Sequence, residues 1–98
     1  MSGAPFPFAI GGDLWPGLSK LIEELGEVQQ VAGKLIATGG DAAHWDGTDL
    51  RARLEEELGD ALAAIHFVAM ANKLDVEPRA KEKLARFLEW HEALDPAI

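Results

Sequence analysis

Cysteine and tyrosine are both absent from the 98-residue sequence. Without a thiol, the chain has no disulfide framework, no cysteine nucleophile and no cysteine-ligated zinc site, which is consistent with a reducing cytoplasm. Aromatic residues make up only 7% of the chain, whereas 48% of it is hydrophobic. The core must therefore be mainly aliphatic, and the length fits one small domain.

Basic residues are scarce, with nine Lys and Arg against seventeen Asp and Glu, for a formal net charge of −8. This charge repels the phosphate backbone of nucleic acids and the surface of anionic membranes. The sequence has no run of about 20 apolar residues, and its start lacks the basic and apolar pattern of a signal peptide. We therefore expect no nucleic-acid or membrane partner and a cytoplasmic location.

Proline and glycine interrupt residues 1–13 too often for a helix or a regular strand. This segment is predicted to be an extended N-terminal arm, and residues 14–98 are predicted to form a single helical domain. Apolar residues then recur at spacings of three and four, which predicts helices over about 15–38, 49–74 and 78–93. No segment shows the alternation of a strand, so the fold class is all-α. Three helices in so short a chain favour completion of the core by self-association.

Two acidic segments lie inside the first two predicted helices. The residues Glu23-Glu24-Leu25-Gly26-Glu27 are matched 33 positions later by Glu56-Glu57-Leu58-Gly59-Asp60. At about 100° per residue, each helix carries one carboxylate pair beside its leucine seam, and antiparallel packing brings the two pairs together. Four adjacent carboxylates repel one another unless a cation neutralises them. All-oxygen ligands favour Mg²⁺ or Mn²⁺, so we predict a metal site at Glu24, Glu27, Glu57 and Asp60.

The pattern Glu23-Glu24-x-x-Glu27, followed after 29 residues by Glu57-x-x-Asp60, resembles the signature of the MazG-like all-α nucleoside triphosphate pyrophosphohydrolases. The resemblance covers the first two helices. It implies a MazG-like bundle whose three helices per chain are completed into four-helix bundles in a homodimer or homotetramer. It also implies Mg²⁺-dependent cleavage of a nucleoside triphosphate between the α and β phosphates. On this resemblance the four carboxylates above are the metal ligands, and Glu23 is the base for the attacking water.

A nucleotide substrate also needs cations for its phosphates and an aromatic or apolar surface for its base. Arg53 lies one helical turn before the second acidic segment, on the same side of the helix. Lys83 and Arg86 resemble the basic pair that the family carries downstream of its acidic motif. Trp15, just before the first acidic helix, and Trp45, in the loop that leads to the second, are the rings available to bind the base. For each of these five, an ordinary salt bridge, solvated side chain or packing role stands beside the proposed binding role.

The sequence thus predicts a Mg²⁺-dependent nucleotide pyrophosphohydrolase, in which Mn²⁺ can replace Mg²⁺, that forms a monophosphate and pyrophosphate in nucleotide-pool housekeeping. One alternative is a non-catalytic helical oligomerisation or regulatory module with a structural cation site. Another is a phosphoribosyl-ATP pyrophosphatase. The base and sugar preference and the choice between dimer and tetramer stay open. The sequence has no G-x-x-x-x-G-K-[ST] or G-x-S-x-G motif, so P-loop and serine hydrolase mechanisms are unsupported.

Overall fold

The computed structural model describes residues 10–12 and 14–94. It contains three helices, α1 (Leu18–Ala37), α2 (Leu50–Ala71) and α3 (Glu77–Leu94), and this part of the chain has no strand. The prediction of an all-α fold with three helices is therefore confirmed. Most of the predicted arm, residues 1–9 and 13, lies outside the described residues. None of the described helices is long and apolar enough to cross a membrane.

The connection between α1 and α2 is set by glycine and aspartate. After α1, the N–H of Gly39 donates to the carbonyl of Ile36 and the N–H of Gly40 donates to the carbonyl of Leu35, at 3.1 and 2.8 Å. This Schellman arrangement needs left-handed backbone after the helix, and Gly39 supplies it with a φ of 67°. At the start of α2, the carboxylate of Asp49 accepts hydrogen bonds from the N–H groups two and three residues later, at 3.0 and 3.2 Å. Asp49 is therefore the N-cap, which stops the first turn of α2 from fraying.

Helices α1 and α2 pack against each other in antiparallel orientation. The side-chain amide of Asn72, just after α2, donates to the carbonyl of Pro16, just before α1, at 3.2 Å. Gly17 lies so close to α2 that an added Cβ would stand 2.7 Å from the ring of Phe67 and 3.0 Å from Val68. In contrast, α3 contacts neither α1 nor α2 among the described residues.

The packed face of this hairpin differs from the predicted leucine seam. Leu25 is 40% exposed and Leu58 is 50% exposed. Most buried residues instead lie on a stripe about 100° away around each helix. They are Glu24 and Val31 of α1 with Leu50, Glu57, Ala61, Ala64 and Val68 of α2, while Ser19 and Ala69 are buried outside it. The alanines of this face let the two backbones approach closely there. The predicted apolar seam is therefore right for Leu50 and Ala61, which are buried, and wrong for Leu25 and Leu58, which are exposed.

This rotation gives the hairpin two unlike faces. In an antiparallel pair of matched helices, equivalent positions fall on the same side, so the stripes that contain Leu25 and Leu58 lie side by side. Leu62 and Ile65 extend this apolar face along α2, and both are exposed. The carboxylates of Glu27 and Asp60 lie beyond the contact line, about 160° around the helix from the leucines, and therefore on the opposite face.

Helix α3 extends the chain without adding to its core, because none of its residues is buried. Its apolar residues Leu84, Phe87 and Leu88 form one stripe, and all three are exposed. In proteins, most of the stability of a helix comes from packing of its apolar face against other elements. The radius of gyration is 16.8 Å, whereas a compact chain of this size has about 13 Å. The described fold therefore leaves apolar surface uncovered on both the hairpin and α3.

Candidate metal centre and adjoining groove

Four carboxylates from the two packed helices meet at one point. Glu24 and Glu27 of α1 and Glu57 and Asp60 of α2 each place one carboxylate oxygen within 4.8 Å of all the others. Glu24 is only 6% exposed and Glu57 only 3% exposed, whereas Asp60 is exposed. The cluster is thus buried on the side between the helices and open on the side of Asp60. These are the four residues that the sequence marks as metal ligands.

One oxygen of each buried carboxylate has no partner. Glu24 Oε2 and Glu57 Oε2 are both buried, and neither has a hydrogen-bond partner within residues 10–12 and 14–94. A buried charged oxygen without a partner is costly, because it has lost its water and gained nothing in return. Two such oxygens, in a group of four carboxylates, suit a hard divalent cation such as Mg²⁺, which takes oxygen ligands. The donor set therefore fits the predicted metal.

The other oxygen of each buried carboxylate is paired with a cation from the preceding helical turn. Lys20 Nζ lies 3.0 Å from Glu24 Oε1, and Arg53 Nη2 lies 3.2 Å from Glu57 Oε1. Lys20 Nζ also lies 3.3 Å from Glu23 Oε1. These hydrogen bonds, with Glu24 first and Glu23 second, raise the pKa of Lys20 above its usual value. Each half of the cluster therefore has one oxygen held by the protein and one free for a ligand.

The third carboxylate, Glu27, responds to its neighbours. The interaction of its side chain with Glu57 raises the pKa of Glu27 above the ordinary value, and the negative charge of Glu57, burial and the charges of Glu24 and Glu23 act in the same direction. Adjacent carboxylates repel one another, and this repulsion favours the neutral form of one of them. A divalent cation bound to the same oxygens also reduces this repulsion.

The match between the two helices is longer than the acidic segments. Residues 20–27 read KLIEELGE and residues 53–60 read RLEEELGD, so Lys20 corresponds to Arg53. Gly17, just before α1, faces Phe67 and Val68 of α2. Because the helices are antiparallel, the same number of residues counted forward from Gly17 and backward from Phe67 leads to the middle of both acidic segments. The pair of helices therefore approximates a two-fold arrangement with its axis through the cluster. From the sequence, Lys20 is a possible phosphate contact or an ordinary solvated lysine, and the structure places it at the cluster beside Glu24.

A groove opens from one side of the cluster on the acidic face. Its volume is about 510 Å³, which is within the range of small-molecule sites. Two metal-ligand candidates and one cation line it, together with small and aromatic residues towards the start of α1. The described lining residues are Gly17, Lys20, Glu24, Asp60, Ala63, Ala64 and Phe67.

Glu23, the predicted base, is half-buried and lies next to the cluster through its contact with Lys20. The two predicted base-binding tryptophans are not part of the groove lining. Trp15 is 48% exposed and precedes α1, and Trp45 is 90% exposed in the loop before α2, where its ring lies 5.4 Å from that of His44. The structure therefore brings Glu23 to the cluster and leaves both tryptophans outside the groove.

The predicted basic pair on α3 lies away from the cluster within one chain, because α3 contacts neither α1 nor α2. Arg86 Nη2 lies 3.3 Å from Glu82 Oε1, and Lys83 Nζ lies 5.8 Å from the centre of the Phe87 ring. A contact of this pair with a ligand at the cluster requires α3 of another copy. Arg53, in contrast, is already at the cluster through its ion pair with Glu57.

The loop before α2 is organised by Asp46. Its Oδ1 accepts a hydrogen bond from the N–H of Thr48 at 2.9 Å and lies 2.8 Å from Nδ1 of His44. Hydrogen bonds from Thr48, and then the contact with His44, hold the pKa of Asp46 well below its usual range. This turn leads directly into the Asp49 cap, so it fixes the start of the helix that carries Glu57 and Asp60.

No protein-family model matches this chain, and no curated protein or solved structure matches it either. The functional argument therefore rests on the residues of the cluster and the groove.

Proposed function

We propose that this protein is a Mg²⁺-dependent nucleotide pyrophosphohydrolase that converts a nucleoside or deoxynucleoside triphosphate into its monophosphate and pyrophosphate. One observation carries most of the proposal. Two buried carboxylates from different helices, Glu24 and Glu57, each have one unpartnered oxygen and belong to the same four-carboxylate cluster. That cluster is joined to a groove of small-molecule size. The resemblance of the two acidic segments to the MazG-like enzymes supplies the reaction type.

In this proposal, Glu24, Glu27, Glu57 and Asp60 hold the divalent cation, which is Mg²⁺ with Mn²⁺ as a substitute. The cation supplies positive charge to the phosphate oxygens and makes the attacking water more acidic. Arg53 is half-exposed beside Glu57, so its guanidinium is able to turn towards phosphate when the cation binds Glu57. Lys20 lies in the equivalent position beside Glu24, so its ammonium is likewise able to pair with Glu24 or with phosphate.

Glu23 is the proposed general base. Its carboxylate lies at the edge of the cluster, held 3.3 Å from Lys20 Nζ, and is not one of the four converging ligands. It accepts a proton from water as the water oxygen bonds to phosphorus. The bond from phosphorus to the bridging oxygen between the α and β phosphates breaks, and that oxygen keeps the electron pair. Monophosphate and pyrophosphate are the products.

Self-association into a homodimer or homotetramer is part of the proposal. The exposed stripes on the hairpin and on α3 are apolar along their length, and covering them is the main source of stability available to a helix that has no buried residue of its own. The α3 helix of a second copy also offers Lys83 and Arg86 to the phosphates. This arrangement completes a helical bundle around each cluster.

The test is pyrophosphate release from a panel of nucleoside and deoxynucleoside triphosphates, with phosphoribosyl-ATP beside them, in Mg²⁺, Mn²⁺ or EDTA. Glu24→Gln is expected to abolish release by removing a metal ligand. Glu55→Gln is the matched control, because Glu55 is an exposed glutamate of α2 outside the cluster, and it should leave the rate unchanged. If no compound in the panel is cleaved under any metal condition, the proposed activity is wrong.

Glu23→Gln separates the enzyme from a non-catalytic module with a structural cation. Loss of the base slows hydrolysis by about 10²–10⁴-fold, while the four ligands and therefore Mg²⁺ binding stay intact. A structural cation site has no use for Glu23, so in that alternative Mg²⁺ still raises the melting temperature but no substrate is cleaved by either protein.

A further inference from the structure

The groove lies on the Gly17 side of the cluster, and the two closely matched helices differ in their side chains on that side. Under the approximate two-fold arrangement, positions 33 residues apart are equivalent. Gly17 then corresponds to Leu50, and Ala64 corresponds to Val31. Leu50 and Val31 are almost completely buried, at 1% and 3% exposure. Leucine and valine therefore pack between the helices on one side of the cluster, whereas the small residues Gly17 and Ala64 pack there on the other side and line the groove.

The close packing of Gly17 against α2 requires glycine for two reasons. Its φ of 93° is left-handed, which other residues adopt only at a cost. An added Cβ would also stand 2.7 Å from the Phe67 ring, closer than two carbon atoms can approach. Gly17 therefore lets α1 pack directly against Phe67 at this end of the groove.

The groove changes in character along its length. At the cluster its walls are Glu24 and Asp60, with the ammonium of Lys20 beside them. Further along, the described walls are Gly17, Ala63, Ala64 and Phe67, which offer apolar surface. A ligand that matches this sequence of surfaces has an anionic end for a cation and for Lys20, and a flat, largely apolar end for the alanines and the Phe67 ring.

We propose that this groove is the nucleoside subsite, with the base and sugar lying over Ala63 and Ala64 towards Gly17 and Phe67. The triphosphate then crosses the carboxylate cluster in the direction of Arg53. The inference rests on the proposed function and adds to it a direction for the substrate and a set of contact residues. A leucine at Ala63 displaces the nucleoside, whereas a leucine at the equivalent position across the axis, Gln30, does not.

The experiment measures ligand binding rather than turnover. Mg²⁺ is titrated first, by itself. A non-hydrolysable α,β-imido deoxynucleoside triphosphate and inorganic tripolyphosphate are then titrated, each in the presence of Mg²⁺. Each is titrated into the parent chain, Ala63→Leu and Gln30→Leu. Ala63 and Gln30 are both exposed helical positions, so both variants should fold, and Mg²⁺ affinity reports whether the cluster is intact.

We expect Ala63→Leu to weaken binding of the nucleotide analogue by about tenfold or more, because it removes contacts along the base. Affinity for tripolyphosphate and for Mg²⁺ should stay within about twofold of the parent value, and Gln30→Leu should match the parent for all three ligands. The subsite is overturned if Ala63→Leu binds the nucleotide analogue as tightly as the parent, or if Gln30→Leu loses more affinity for it than Ala63→Leu does. Neither result contradicts the proposed hydrolysis. If the parent binds Mg²⁺ but neither phosphate ligand, the proposed function fails and the subsite fails with it.

Discussion

Replacing Glu57 with glutamine should stabilise the metal-free protein and abolish its response to Mg²⁺. The carboxylate of Glu57 is buried, has one unpartnered oxygen and lies within 4.8 Å of Glu24. At that distance, with an effective dielectric constant near 20, two like charges repel by on the order of 3 kcal/mol. Glu57→Gln removes this repulsion, and the amide nitrogen gains a carboxylate to donate to. The volume of the side chain hardly changes.

The substitution also has a cost, because Arg53 loses its partner. The Arg53 side chain is 48% exposed, and ion pairs at such positions contribute about 0–1 kcal/mol. The net expectation is a gain of about 2–3 kcal/mol in the free energy of unfolding in EDTA. For a domain of this size, each kcal/mol corresponds to about 4–8 °C in melting temperature.

Mg²⁺ should stabilise the parent protein and have almost no effect on the stability of Glu57→Gln. At a concentration 100 times its dissociation constant, a ligand that binds only the folded state adds about 2.7 kcal/mol. The parent should gain this amount and Glu57→Gln should gain almost none of it. The assay is thermal unfolding in EDTA and in a Mg²⁺ series at one protein concentration, with Glu55→Gln as the control for a change of one surface charge. A Glu57→Gln protein that is less stable than the parent in EDTA, or that keeps the full Mg²⁺ response, would refute the reasoning.

Four further predictions follow from the described contacts. Lys20→Met removes the counter-ion of Glu24 and should lower the melting temperature in EDTA, with a smaller loss in saturating Mg²⁺; equal losses in both conditions would contradict the exchange of partners. Leu62→Glu places a charge on the exposed apolar face and should shift sedimentation velocity towards a single chain, while helical circular dichroism is retained; an unchanged sedimentation coefficient would exclude this face from self-association. Gly17→Ala should lower the free energy of unfolding by at least about 1–2 kcal/mol in urea titrations, because the backbone is left-handed there, and an effect below this range would mean that the backbone relaxes. The pKa of Asp46 is lowered, so its contribution to stability is present above the usual aspartate range and is lost as the pH falls towards the lowered value. Asp46→Asn should accordingly reduce the melting temperature at pH 7, and the difference from the parent should shrink in acid; a constant difference would mean that the charge of Asp46 is not responsible.

The helices and their ends could be predicted because short-range chemistry decides them. The spacing of apolar residues gives the three helices, glycine permits the left-handed turn after α1, and the Asp49 carboxylate caps α2 whatever the helix later packs against. The convergence of Glu24, Glu27, Glu57 and Asp60 was predictable for a related reason. It needs only that two matched helices run antiparallel in the right register, and the loop of residues 38–49 allows that arrangement.

The packed face could not be predicted from the amount of apolar surface. A leucine seam offers more hydrophobic area, but the structure packs the narrower face of Ala61 and Ala64, where Glu24 and Glu57 are also buried. The gain at this face is close approach of the backbones, and its cost is the burial of two carboxylates. The sequence alone does not show whether the packing gain exceeds the cost of burying the carboxylates. That cost depends on the ion pairs that Lys20 and Arg53 form with Glu24 and Glu57.

The face that the hairpin leaves exposed connects the site to self-association. If Leu25 and Leu58 filled the contact between α1 and α2, the carboxylates would lie at the rim of the hairpin, where water would solvate them and little would be gained by a cation. The observed rotation places Glu24 and Glu57 inside the contact and turns the leucines outward on the opposite face. A second copy that covers the leucines therefore leaves the acidic face and its groove accessible. The same rotation that makes the cluster costly without a cation also creates the apolar surface by which the chain can associate, so a variant that restored a leucine seam within the hairpin should weaken both Mg²⁺ binding and self-association.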